Sequence, residues 1–320
     1  MKIYLLSALF AFALSLVFCR VLIPILRRLK AGQNILAYVK EHKGKSGTPT
    51  MGGIAFIAAA VIAAAIFIHR VQATHLRTLI LTLLVGVSYM VIGLLDDCLK
   101  MRHKENLGLR AWQKILFQSI AALLSGIYCY RANLTVLYVP FLKVQLQLGW
   151  AVIPWTVFVF LATVNAVNLT DGLDGLAAGT AIPFFLSLGI LILLQNGQPG
   201  MALLAFCLSG TLLAYLVFNV PPASVFMGDT GSLALGGFAA ALTVFTGNSL
   251  YLAVMGVCFV LSVISVIIQV IYYKATHGKR VFLMAPIHHH FQQKGYSEAK
   301  ISYAYFLVTL ILGVVCISLG

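Results

Sequence analysis

Charge is scarce in this 320-residue chain, and negative charge is scarcest. Asp, Glu, Lys and Arg together make up 9% of it, and only eight residues are acidic. With 61% apolar residues and a mean hydropathy of +0.99, that scarcity excludes an ordinary soluble domain. Cysteine is thin as well: the six are scattered, five of them inside apolar runs, with no C-x-x-C pair. A disulfide framework and a cysteine zinc site are thereby excluded. The Lys-Ser/Thr ending of a G-x-x-x-x-G phosphate loop is missing, which excludes a P-loop NTPase. The first apolar run, opened by Lys2, ends in Arg27-Arg28 without a small-residue cleavage site, so it reads as a membrane helix and not as a cleaved signal.

What remains is an all-α polytopic membrane protein. At about 20 apolar residues per crossing, the chain accommodates roughly ten transmembrane helices in a single membrane domain, 1–320. The apolar runs place them at 3–25, 51–68, 78–95, 113–130, 150–166, 176–195, 200–218, 232–247, 250–273 and 301–319. Loops 26–50, 96–114 and 274–300 hold six, five and five of the 22 basic residues. The positive-inside rule makes those loops cytoplasmic and both termini external. All eight acids then fall on the cytoplasmic side. Outside, residues 133–148 alternate apolar and polar positions around Pro140, which predicts a small periplasmic hairpin.

Carboxylates are costly at mid-membrane, about 2.5 to 3.5 kcal/mol each, so the five aspartates at the span ends read as one site. In the first inner loop, Lys45, Thr48 and Thr50 lead into Gly52-Gly53, a turn suited to an anion or to plain helix capping. The third span ends in Asp96-Asp97, with Lys100 four residues beyond Asp96 and Lys114 further on. Adjacent carboxylates are tolerable beside cations, a divalent metal or water. Spacing of three aligns Asn165, Asn168 and Asp171 on one face if the fifth helix continues, with Asp174 a step beyond; Asp171 could also serve as a cap. Gly228 and Gly231 flank Asp229, the first choice as a Mg²⁺ ligand because hard oxygen donors suit that ion. Phe226 beside it could stack on a nucleobase or pack in the core. The run His288, His289, His290 suits hydrogen bonds to phosphate or proton relay better than zinc, since three consecutive imidazoles share no helical face. Gln269 is a lone intramembrane amide that could meet a ligand or a neighbouring helix. Such a set offers charge neutralisation, positioning and proton management for phosphoryl transfer. An ion-coupled transporter would instead spread its acids through the bilayer depth.

The motifs P-T-M-G-G at 49–53, D-D-x-x-K at 96–100, N-x-x-N-x-x-D-G-L-D-G-L from Asn165, F-M-G-D-T-G-S from Phe226 and M-A-P-I-H-H-H-F from Met284 carry a resemblance. The chain is similar to the phospho-N-acetylmuramoyl-pentapeptide-transferase family within the polyprenyl-phosphate N-acetylhexosamine-1-phosphate transferases. The related N-acetylglucosamine-1-phosphate transferases are the neighbouring alternative. The resemblance implies ten helices, a cytoplasmic-face active site, residence in the bacterial inner membrane and a homodimer with no nucleic-acid partner. It implies transfer from UDP-MurNAc-pentapeptide to undecaprenyl phosphate, with Mg²⁺, in peptidoglycan synthesis. It assigns Asp96 and Asp97 to activation of the lipid phosphate and Asp229 to the metal. Residue identity does not distinguish direct attack from a covalent aspartyl intermediate; direct attack with Asp96 as base is the expectation. Asn168, Asp171, Asp174, Lys100, Phe226 and Gly228 would surround the nucleotide, and the histidine run would line the same cleft. One departure is visible: Gln292 follows Phe291 where the family commonly has an acid.

Overall fold

The computed structural model describes residues 1–29, 47–71, 75–103, 108–142, 144–195 and 197–319. In chain order they form α1 (Lys2–Arg28), α2 (Gly53–Phe67), α3 (Leu76–His103), α4 (Ala111–Arg131), β1 (Val136–Val139), β2 (Val144–Gln147), α5 (Val152–Thr170) and α6 (Leu176–Leu194). There follow α7 (Pro199–Asn219), α8 (Gly228–Phe245), α9 (Ser249–Met255), α10 (Val257–Ala275), α11 (Ile287–Gln293) and α12 (Glu298–Leu319).

Eight helical stretches among the described residues are long and apolar enough to cross a bilayer: α1, α2 with a 3-10 extension to Arg70, α3, α5 with the turn before it, α6, α7, α10 and α12. The two other expected spans are the helices α4 and α8. Gln113, Lys114 and Gln118 dilute the apolar character of α4, and Asp229, Thr230 and Ser232 that of α8.

Sequence composition sorts these helices into layers. α6 and α7 are apolar on every side, and about four fifths of each is buried within the protein; α8 is buried along nearly its whole length. A helix without a polar face belongs inside. α1, α10 and α12 bury only a quarter or so of their residues, leaving broad apolar faces for lipid. Around the centre, α8 packs against α3 and α5, α7 against α1 and α6, and α6 against α12.

Small residues permit the closest approaches, as expected where lipid leaves no hydrophobic drive between helices. Gly236 of α8 lies so near the backbone of Val164 on α5 that a Cβ would fall 2.5 Å from the Val164 Cα. Gly93 of α3 abuts the Asp229 carbonyl in the first turn of α8 even more tightly. Side-chain hydrogen bonds add cross-links: Ser15 Oγ donates to the Thr211 carbonyl at 3.0 Å, and Trp155 Nε1 to Ser249 Oγ at 2.9 Å.

The expected hairpin is present, with β1 and β2 antiparallel in the register Val136↔Gln147 to Val139↔Val144. Tyr138 N donates to the Gly247 carbonyl at 2.9 Å, tying the hairpin to the far end of α8. Two boundaries differ from the sequence reading. The expected span 250–273 is divided at Gly256 into α9 and α10, a residue whose low helix propensity favours such a break. The last inner loop contains a helix of its own, α11, because Pro286 starts a turn that the short His-rich segment completes.

The Gly93 contact generates a prediction. Gly93→Ala should separate α3 from α8 and cost about 1 to 3 kcal/mol by overpacking. Gly179→Ala, where a Cβ meets no other heavy atom within 4 Å, should leave stability unchanged or raise it by up to about 1 kcal/mol. Thermal melting of both variants in one detergent checks this; equal melting temperatures would refute it.

Candidate functional site

Four helix ends converge on the polar cluster. α3 runs on as a helix to His103, so Asp96 and Lys100 stand one turn apart, and Lys100 Nζ lies 2.7 Å from Asp96 Oδ2. Lys114, in the first turn of α4, lies 3.1 Å from the same oxygen. Both ammonium groups also reach Asp229 Oδ2 from the start of α8, at 2.8 Å for Lys100 and 2.6 Å for Lys114. Asn168, near the end of α5, donates through Nδ2 to Asp229 Oδ1 at 2.7 Å and to Ser232 Oγ at 2.8 Å.

Asp97 is the structural anchor. Its side chain is buried, with Oδ1 accepting from Asp229 N at 3.2 Å and Oδ2 from Thr230 N at 2.9 Å and Thr230 Oγ1 at 2.7 Å. A carboxylate at a helix N-terminus satisfies amide hydrogens that no helix carbonyl can reach. Gly228, at φ +71°, opens that helix, and a Cβ there would fall 2.5 Å from both Asp97 Oδ2 and Thr50 Oγ1. Leu109 N donates to Asp96 Oδ1 at 2.7 Å and brings the start of α4 over the pair.

The P-T-M-G-G and F-M-G-D segments run alongside each other. Phe226 N donates to the Pro49 carbonyl at 2.8 Å, Gly52 N to the Phe226 carbonyl at 2.9 Å, and Gly53 N to the Met227 carbonyl at 3.2 Å. Thr50 is thereby buried, its hydroxyl without a hydrogen-bond partner among the described residues and close to Asp97. Thr48 and the ring of Phe226 stay partly accessible. Lys45 lies outside the described residues.

α5 ends at Thr170, so the three-residue face stops short of Asp171, which lies in the turn before α6. Burial, and then the neighbouring Asp229, Asp97 and Asp174, push the Asp171 carboxyl up to about 8. Asp174 is buried with Oδ2 accepting from Ala223 N at 3.0 Å, a contact that braces the loop between α7 and α8. Asn165 sits a turn deeper than the carboxylates, its Nδ2 donating to Gln118 Oε1 and to the Leu161 carbonyl, both at 2.8 Å, and so joins α5 to α4. Gln269 stands in the segment after which the chain turns, with Oε1 accepting from Val281 N at 3.1 Å and Phe282 N at 2.9 Å.

The three histidines of this short helix do not share one face: His288 and His289 lie together, and His290 turns away. His288 is fully buried, and burial together with the neighbouring His289 pushes it down to about 3, so it is neutral. His288 and His289 lie against Gly172, where a Cβ would fall 2.5 Å and 3.1 Å from their respective Nε2 atoms. His290 faces away and accepts from Leu283 N at 3.1 Å. Sequence reasoning missed Thr230 and Ser232, although both lie in the motif around Asp229; it missed Gln118 too, for which no local signal exists.

Chemically, Asp96, Asp97 and Asp229 each offer an oxygen within 4.8 Å of the others, a group that could hold a metal ion. Three hard carboxylates against two lysines leave an excess of negative charge, which suits a divalent cation with oxygen preference.

The sequence model of glycosyl transferase family 4 matches residues 78–247, and a phospho-N-acetylmuramoyl-pentapeptide-transferase signature matches residues 45–57. A curated protein of that transferase name from Geobacillus kaustophilus is 45% identical over 94% of this chain and 93% of its own length. One from Thermoanaerobacter sp. is 44% identical over 96% and 95%, and one from Clostridium botulinum 41% over 97% and 94%.

Two outcomes follow from the charges. Lys114→Met should tighten Mn²⁺ binding roughly tenfold by unmasking Asp229, while Asp229→Asn should weaken it; titration by electron paramagnetic resonance reads both, and weaker binding in Lys114→Met would contradict the charge argument. Folded Asp171 keeps a proton that the unfolded chain releases near its ordinary 3.8. In chelator, stability should therefore fall as pH rises through the window up to about 8, and Asp171→Asn should flatten that slope. Melting temperatures across that window would reject the shift if the two proteins ran parallel.

Proposed function

The chain belongs to the phospho-N-acetylmuramoyl-pentapeptide-transferase family, and from that membership we propose how its polar cluster works. The protein is a multi-pass protein of the bacterial inner membrane that transfers phospho-MurNAc-pentapeptide from UDP-MurNAc-pentapeptide to undecaprenyl phosphate, giving lipid I and UMP. An oxygen of the lipid phosphate attacks the phosphorus bearing the sugar. The bond from that phosphorus to the bridging oxygen breaks, and the electron pair leaves with UMP.

The observation that carries this reading is the sharing of Lys100 and Lys114 between Asp96 and Asp229. Two phosphates brought within about 4 Å repel by roughly 4 kcal/mol per pair of unit charges at an effective dielectric of 20, and positive charge must offset that. The two lysines supply it to the phosphate oxygens. Asp229, with Asp96 and Asp97, would hold Mg²⁺, which when bound would neutralise pyrophosphate charge and orient the leaving group. Asp96, in contact with both lysines, would take any proton left on the attacking phosphate. Asp97 keeps α8 in register, so Asp229 faces the reaction. Asn168 fixes the other oxygen of Asp229, while Phe226 offers a partly exposed ring to the uracil. Thr48 and Thr50 border the anion path.

α4 and α8 are read as crossing with the other eight long helices, giving ten spans, both termini outside, one membrane domain and the carboxylates at the cytoplasmic boundary. The basic loops support that orientation. A homodimer is part of the same reading.

Purified protein should release UMP from the two substrates only with Mg²⁺ or Mn²⁺ present, and chelation should abolish it reversibly. Asp229→Ala should lose at least about a thousandfold in kcat. Full turnover by that variant, or UDP-GlcNAc outcompeting the muramoyl donor in a radiolabelled lipid assay, would defeat the proposal.

A further inference from the structure

Gln292 lies between two groups that together decide which way its amide points. Its Nε2 donates to Glu298 Oε1 at 3.4 Å, and its Oε1 lies 3.0 Å from His289 Nδ1. An ionised carboxylate has no hydrogen to offer, so the end of the amide facing Glu298 has to be the NH₂ group. The carbonyl end then faces His289, and a carbonyl can only accept. Nδ1 of His289 therefore carries a proton, and with the ring in its neutral form Nε2 is a lone pair.

Glu298 is itself held in place by the loop it serves. Its Oε2 accepts from Asp174 N at 3.1 Å, so one carboxylate bridges the Asp171–Asp174 turn and α11. At the other end of the series, His289 Nε2 lies against Gly172, immediately after Asp171, next to the ring of His288 with centroids 4.4 Å apart.

We propose that Glu298 is a positioning residue: acting through Gln292, it holds His289 in the Nδ1–H tautomer, so that His289 presents a hydrogen-bond acceptor beside Asp171. For its bearing on substrate the inference rests on the transferase reading above. The group that neutral His289 receives there is a hydroxyl or N–H of the nucleotide donor, not a phosphate oxygen, which departs from the phosphate contact anticipated for the histidine run. The nearest negative charge along this path stands one hydrogen bond out from Gln292, on Glu298.

The test uses full-length protein labelled with ¹⁵N-histidine in proteoliposomes, with solid-state NMR near neutral pH and His289 assigned by the signals lost in His289→Gln. The unaltered protein should show His289 with Nδ1 protonated and Nε2 bare. Gln292→Met leaves the Glu298 bond to Asp174 in place; it should shift His289 toward Nε2–H and lower kcat/KM about tenfold, the order expected for one lost hydrogen bond. Exchanging the pair, Gln292→Glu with Glu298→Gln, reverses the inner bond yet keeps an acceptor facing His289 Nδ1 and another facing Asp174 N. That double variant should restore both tautomer and rate. Nε2–H in the unaltered protein, a tautomer unmoved by Gln292→Met, or a normally melting exchange variant that fails to regain Nδ1–H would each overturn the proposal. The tautomer is read without substrate, so failure of the transfer assay alone would count against the transferase reading and not against this one.

Discussion

The docking of Asp97 onto the N-terminus of α8 is the constraint on which the rest of the site depends. A buried carboxylate at the end of one long helix accepts three hydrogen bonds from the first turn of another. Removing it would leave two amides and a hydroxyl without partners in a nearly dry setting, a cost of about 1 to 3 kcal/mol for each group. Because Asp229 supplies one of those amides, its own side chain is delivered beside Asp96 by the same contact. The absence of a side chain at Gly93 lets the two helices come close enough for this to happen. Packing and chemistry are thus set by one junction.

Around that junction, polar residues divide between holding the scaffold and lining the candidate site. Asn165 and Gln118 link helices below the cluster, Gln269 fastens the turn after α10, and Asp174 and Glu298 brace loops against each other. Lys100, Lys114, Asn168 and Asp229 form the more accessible layer, each retaining some contact with solvent. Buried polar groups in a membrane protein are costly unless paired, and the hydrogen bonds within the inner layer offset part of that cost.

Much of this was legible in the sequence because membrane proteins advertise their helices by apolar runs and their sites by exceptions to them. Asp96, Asp97 and Asp229 stood out against a background nearly free of charge, and the structure gathers them. The fifth helix continues past 166 far enough to place Asn165 and Asn168 on one face, but it ends at Thr170, so extending the face to Asp171 did not follow. Hydropathy also merged α9 with α10, since a single Gly256 barely lowers the average across a span. Partners far apart in the chain were out of reach: nothing near Gln118 announces Asn165, and nothing near Gln292 announces Glu298. A clue to the latter was nevertheless present, because Glu298 is the only acid after Asp229.

The shared lysines carry a consequence for how guests enter. While Lys100 and Lys114 clasp Asp229, they compete with any cation for its oxygen; once an incoming anion draws them off, that oxygen is released. Thermodynamic reciprocity requires the converse, that a cation settling on Asp229 frees the lysines for the anion by the same factor. On the proposed reading, nucleotide and metal would be mutual effectors, and the apparent affinity of either would have meaning only at a stated concentration of the other.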